Sequence, residues 1–332
     1  MNSPSLRIAA IAAALLFTLQ LSAQTYYKAC PAPPADETAQ AYGLASDGTH
    51  IWIACWDDDV YEINISNGAL VRNITGLTGP MSLVYDNVNG NIWVSSFSVP
   101  EVWKIKASSG EVLQTVTVGG DSPRGMAFDG TYVWVANEVA NSISKVLATT
   151  GAVTTYPISS SSCLYPFGVA YDGIYVRVTC PGSDSEIGAV IGLNAEGEQL
   201  QWAGFTWAFG ISVASGDVWV GSASTGDGVN TLMEITGGGT GFYFFDNLFA
   251  SYDVAAAGTY TWVTSFSGVG GQGEVKKILA SDGALVETYA VNANSCIGYT
   301  PNCIISDGQG NIWVTVLSTG GGQAPQVAKI PD

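Results

Sequence analysis

The feature that most restricts the fold is a repeat. The segment "FDGTYVWVANE", Phe128 to Glu138, returns as "SDGTHIWIAC" at Trp52, "NVNGNIWVSS" at Trp93, "YDGIYVRVTC" with Arg177 replacing tryptophan, "ASGDVWVGS" at Trp219, "AGTYTWVTS" at Trp262 and "SDGQGNIWVTV" at Trp313. These seven anchors stand 41 to 43 residues apart, with a last step of 51. Each copy carries the same punctuation. A short apolar strand a ends in an Asp-Gly or Asn-Gly type of turn, whose glycine supplies positive φ. Strand b holds the anchor, and a loop of variable sequence follows. Strand c ("DVYEINI", "EVWKIKA", "SISKVLA", "EVKKILA") then leads through a second glycine turn to strand d.

After residue 23 no window of about 12 residues keeps helical apolar spacing. Short strands at a period in the low forties are the signature of propeller blades. The consecutive apolar residues of strand b suit a strand covered on both faces by neighbouring blades. The sequence therefore predicts an all-β fold: a seven-bladed β-propeller with four-stranded antiparallel blades. The seventh copy stops after strand c, which would leave an open sheet edge. The stretch "TYYKAC", Thr25 to Cys30, is expected to complete that last blade and latch the ring.

Residues 1–23 read as a signal peptide: Arg7, an apolar run from Ile8 to Leu21, and small residues up to a cleavage point near Ala23. Residues 24–332 are then one propeller domain, secreted or periplasmic, with no membrane span in the mature chain. Six cysteines fit an oxidising compartment. Cys55 and Cys180 each stand three residues after an anchor, and Cys30 and Cys163 each precede strand a of the same blade. Cys30–Cys55 and Cys163–Cys180 are therefore expected to pair, leaving Cys296–Cys303 ahead of the last strand a. With 28 acidic against 11 basic residues and a net charge of −17, the chain would repel phosphate backbones, so no nucleic-acid partner is expected.

The d-to-a and b-to-c loops emerge together on one face of a propeller. They are also the loops that vary between copies, so recognition is expected there. Tyr42, Met81, Arg124, Phe167, Phe209, Tyr252 and Asn302 hold equivalent places at the start of strand a and would crown the channel mouth, with Trp56, Tyr165, Trp207 and Tyr299 nearby. Such a crown suits a carbohydrate, an aromatic ligand or a protein partner; the alternative is that the rings simply plug the channel.

Other chemistry is thinner. Asp57, Asp58 and Asp59 are candidate ligands for Ca2+ or Mg2+ but lack the alternating spacing of a calcium loop, and no cofactor is expected. Glu101, Glu138 and Glu186 fall in b-to-c loops as candidate general bases. Arg177, inside a blade, must be paired or reach solvent: either it fans out toward a carboxylate such as Asp172 or Glu186, or it marks an irregular blade. The single histidine, His50, lies at the a-to-b turn on the opposite face, which disfavours a Ser/His/Asp triad and a multi-histidine metal site.

The segment "SPRGMAFDGTYVWVANEVANSISKVLATTGAV", Ser122 to Val153, resembles the repeats of YVTN and NHL-type propellers and of virginiamycin B lyase-like (streptogramin lyase-like) proteins. The resemblance runs from Tyr42 to Asp332 and implies the propeller fold. For members with lyase activity it implies a histidine base with acidic residues and magnesium, and this sequence has no histidine to match that base. For lactonase-type propellers it implies a carboxylate and amide metal site, for which Asn302 and Asp253 are the residues at hand. The function expected is a binding module without catalysis of its own. A metal-dependent lyase or hydrolase, and a self-assembling surface or filament subunit, stand as alternatives.

Overall fold

A computed structural model describes residues 24–30, 40–55, 57–158, 163–182, 188–205, 207–214, 216–222, 230–236, 239–245, 251–266, 273–291, 304–316 and 325–331. They form seven four-stranded antiparallel sheets. Blade 1 runs Ala41–Ser46, His50–Cys55, Val60–Asn64 and Leu70–Ile74 as strands a to d. Blades 2 to 6 repeat that order. Blade 7 joins Ile304–Ser306, Asn311–Val316 and Gln326–Pro331 to the N-terminal strand Thr25–Lys28. Thr25 stands opposite Lys329 and Lys28 opposite Gln326, so the strand missing from the last copy comes from the other end of the chain. The Cys30–Cys55 disulfide ties this latch to blade 1, and Cys163–Cys180 forms within blade 4. The expected Cys296–Cys303 pair and residues 1–23 lie outside the described residues. Among the described residues no helix is long and apolar enough to cross a membrane.

The anchors are packing residues. Trp52, Trp93, Trp134, Trp219, Trp262 and Trp313 are at most 1% exposed. Each fills the space between its own blade and the next: Trp52 packs with Leu83 and Ile92 of blade 2, and Trp134 with Val169 and Val178 of blade 4. An indole of this kind hides roughly 150–250 Å² from water, and its N–H then needs an acceptor. In blades 1, 3 and 7 the turn aspartate supplies it, whereas Nε1 of Trp93 and Trp262 has no partner among the described residues. Trp52, Trp134 and Trp313 donate from Nε1 to Oδ2 of Asp47, Asp129 and Asp307 at 3.0, 2.7 and 3.0 Å. The other oxygen of Asp129 accepts the backbone N–H groups of Thr131 and Tyr132, closing the turn. One carboxylate thus serves both the turn and the buried ring. In blade 4, Arg177 puts Nε 2.6 Å from Asp172 Oδ2 and keeps the same link.

Candidate functional site

The crown positions are set by a repeated irregularity. The pairing of strands a and b shifts register between Ala41 and Leu44, Pro80 and Leu83, Pro123 and Met126, Ala208 and Ile211, and Ser251 and Val254. Each bulge contains the crown residue and its successor: Tyr42-Gly43, Met81-Ser82, Arg124-Gly125, Phe209-Gly210 and Tyr252-Asp253. A bulge bends the strand and re-aims a side chain, here at the start of the innermost strand.

Successive crowns touch through the backbone. Gly125 N–H donates to Phe167 O at 3.0 Å. A Cβ on Gly43 or Gly125 would fall 2.3 Å from the carbonyl oxygen of Met81 or Phe167, so only glycine fits there. Strand-b hydroxyls hold other crown carbonyls, with Ser95 Oγ donating to Arg124 O at 2.7 Å and Thr179 Oγ1 to Phe209 O at 2.6 Å. Between blades 6 and 7, Asp253 Oδ2 accepts Ile304 N–H at 3.0 Å.

Two residues before the crown, the backbone turns left-handed in four blades: Gly79, Ser122, Tyr165 and Trp207 have φ of 60°, 55°, 59° and 57°. The carbonyls of Gly79 and Ser122 accept the N–H of Phe97 and Glu138, the first residues after strand b, at 2.8 and 3.0 Å. In these two blades the cross-loop bond brings the start of the b-to-c loop over the crown. The conformation costs a non-glycine residue on the order of 1–2 kcal/mol, and Tyr165 and Trp207 both carry it.

These devices assemble an arc over blades 2 to 5. Arg124 Nε is 2.5 Å from Glu138 Oε2, and its guanidinium lies 4.6 Å from the Phe97 ring centre and 4.8 Å from that of Phe167. Phe167 meets Phe209 edge to face at 5.2 Å, and Phe209 lies 5.9 Å from Trp207. Met81, Arg124, Phe167 and Phe209 are buried, while Phe97 and Tyr165 stand 45% and 47% exposed above them. The lower tier is therefore a packed floor, and the accessible surface is the loop tier on top of it. Tyr42 is partly buried, and burial, helped by the negative charge of Asp58, pushes its hydroxyl up from the ordinary tyrosine value. Tyr252 lies on strand Ser251–Ala257. Trp56, Tyr299, Asn302 and Glu186 lie outside the described residues.

The three aspartates of blade 1 engage different donors. Asp57 Oδ2 accepts Tyr61 O–H at 2.8 Å, Asp58 Oδ1 accepts Gly79 N–H at 2.8 Å, and Asp59 Oδ2 accepts Asn73 Nδ2–H at 2.8 Å. Burial pushes the Asp57 carboxyl up; the Tyr61 hydrogen bond opposes this and neighbouring Asp59 and Asp58 add to it.

A second cluster lies beside the a-to-b turn of blade 1, away from the mouth. His50 Nδ1 is 3.2 Å from Asp47 Oδ2 and 3.1 Å from Glu62 Oε1, and Arg72 Nε is 2.9 Å from Glu62 Oε2. Glu62 is fully buried, and that burial pushes its carboxyl up against the opposing charges of Arg72 and His50. The sequence reading placed His50 but not its partners. The available signal was Glu62 itself, which stands in strand c where blades 2, 3, 6 and 7 carry lysine.

No protein-family model and no curated protein matches the sequence. Solved structures do match. The chain is similar to a streptogramin B lyase structure at 15% identity and a TM-score of 0.70, covering 93% of this chain and 98% of that one. It is similar to a Kuenenia stuttgartiensis hydrazine synthase structure at 12% identity and TM-score 0.69, covering 90% and 97%. It is also similar to the WD40 repeats of RRP9 at 13% identity and TM-score 0.68, covering 91% and 98%. At these identities the likeness carries the fold, and the chain is a seven-bladed β-propeller of the architecture seen in streptogramin B lyase.

Proposed function

We propose that the protein is a propeller binding module that recognises a ligand or protein partner through the variable-loop face, without catalysis of its own. The observation that carries this reading is the arc Phe97, Arg124, Phe167, Phe209 and Trp207, built on bulges and strained turns and topped by exposed aromatic surface. Strained backbone at bulky residues persists where the surrounding structure demands it, and such positions gather at ligand clamps. Exposed aromatic faces beside a fixed guanidinium suit the apolar face of a sugar ring or an aromatic side chain.

The likeness to a streptogramin B lyase makes a lyase the natural rival. The sequence has a single histidine, and it sits at a turn-side cluster away from the mouth, bound up with Asp47 and Glu62. This supports binding over a histidine-based elimination. The two disulfides support action in an oxidising compartment, outside the cell or in the periplasm.

Crystals soaked with mixed oligosaccharides and divalent ions test the proposal. Ligand density against Phe97, Tyr165 or Trp207 is the expected result. Density only at other faces, or a metal ion at the mouth with turnover of a lactone or ester, would overturn it.

A further inference from the structure

Blade 1 departs from the repeat at two places that face each other. Two residues before the anchor the other blades carry Asn, Tyr or Asp, and blade 1 carries His50. Opposite the anchor in strand c, blades 2, 3, 6 and 7 carry lysine, and blade 1 carries Glu62. His50 and Trp52 share one face of strand b, and Glu62 pairs with Trp52, so His50 and Glu62 are diagonal neighbours across the two strands. Asp47, the turn aspartate, completes the group.

The side chains converge on one nitrogen. His50 Nδ1 lies 3.2 Å from Asp47 Oδ2, 3.1 Å from Glu62 Oε1 and 3.0 Å from Thr49 Oγ1. A single ring N–H can be aimed at only one of these oxygens. Glu62 is the group left short. It is fully buried, Arg72 Nε pairs with its Oε2 at 2.9 Å, and Oε1 accepts no hydrogen bond among the described residues. A buried carboxylate oxygen without a donor is destabilising, and a cation standing in for the ring hydrogen would satisfy both carboxylates at once.

The spacing suits such an ion. Nitrogen and oxygen ligands held at about 2.0–2.1 Å from a metal stand roughly 2.9–3.4 Å from one another. The two separations from Nδ1 to the carboxylates, 3.2 and 3.1 Å, fall in that range, and the three ligand atoms all lie within 4.8 Å of one another. Each carboxylate is also steadied from outside. Trp52 Nε1 donates to Asp47 Oδ2 at 3.0 Å, the Thr49 and His50 N–H groups donate to Asp47 Oδ1, and Arg72 holds Glu62. Partners of this kind fix the orientation of metal ligands. The His50 side chain is 26% exposed, those of Asp47 and Glu62 7% and 0%, so an ion would enter past the imidazole.

We propose that Asp47, His50 and Glu62 bind one divalent transition-metal ion of the Zn2+ type beside the a-to-b turn of blade 1. An imidazole nitrogen with two carboxylate oxygens favours Zn2+ over Ca2+ and Mg2+, which prefer oxygen alone. The ion would tie the turn to strand c in the blade that also receives the latch disulfide. This site is independent of the loop-face reading.

His50 is the single histidine of the chain, so its ring signals report on the site directly. The test titrates ZnCl2 into the tag-free full chain, stripped with EDTA, and follows it by calorimetry and by the nitrogen resonances of the imidazole. Zn2+ should bind with one-to-one stoichiometry and move the Nδ1 resonance, whereas Ca2+ and Mg2+ should leave it in place. His50→Ala and Glu62→Gln should each weaken Zn2+ binding at least about tenfold. His50→Ala should also remove the rise in Tm that Zn2+ gives the wild type. Absence of Zn2+ binding, an Nδ1 resonance that Zn2+ does not move, or undiminished affinity in His50→Ala would overturn the proposal.

Discussion

Arg177 donates from Nε to Asp172 Oδ2 at 2.6 Å, the contact that Trp134 Nε1 makes to Asp129 Oδ2 at 2.7 Å one blade earlier. The guanidinium has replaced the indole without changing the acceptor, and both partners are almost wholly buried. Arg177→Ala would leave Asp172 charged and unpaired, and should lower stability by about 3–5 kcal/mol. Arg177→Trp would restore the repeat and should leave stability unchanged or raised. Urea unfolding of the two variants checks both outcomes.

Trp134 shows no exposure and packs between blades 3 and 4. Trp134→Ala should cost roughly 3–5 kcal/mol through lost transfer energy and the cavity left behind. Because the ring is far from any accessible surface, ligand affinity of the folded fraction should not change. Denaturant unfolding and a titration below the unfolding transition separate these effects.

The Cys30–Cys55 bridge fastens the latch strand to blade 1. Replacing both cysteines by serine should cost about 2–4 kcal/mol. Limited proteolysis should then cut first near residues 24–30, before the remaining blades are attacked.

Burial pushes the Asp47 carboxyl up, but hydrogen bonds from Trp52, Thr49 and His50 outweigh it and hold the group below its ordinary value. A depressed folded-state pKa gives stability that is present above the unfolded value, near 3.9, and lost as pH falls through the folded value. Stability should therefore decline as pH is lowered below about 4. Asp47→Asn should flatten that decline. Thermal unfolding across acid pH measures the slope.

Much of the ring was legible because blade packing repeats. The Asp-Gly turn, the tryptophan and the shared positions of Cys55 and Cys180 recur at fixed offsets, and the short seventh copy required a strand from elsewhere. The crown positions were legible too, as equivalent places in the copies. Their geometry was not, because a bulge changes register without changing composition. Positive φ at Tyr165 and Trp207 was equally hidden, since sequence signals that conformation through glycine. The turn-side cluster of blade 1 was signalled only by Glu62, which stands in strand c where blades 2, 3, 6 and 7 carry lysine. Its partners, His50 and Arg72, come from the strands on either side, and only the sheet register brings them to it.

The central claim is that recognition belongs to the loop tier above the crown. It is tested most directly by titrating a panel of oligosaccharides and extracellular peptides into wild type, Phe97→Ala and Tyr165→Ala, both changed at exposed rings, with Tm recorded for each protein. The account predicts that a ligand of the wild type is weakened at least about tenfold by both substitutions while Tm stays nearly constant. Undiminished affinity in both variants would contradict it.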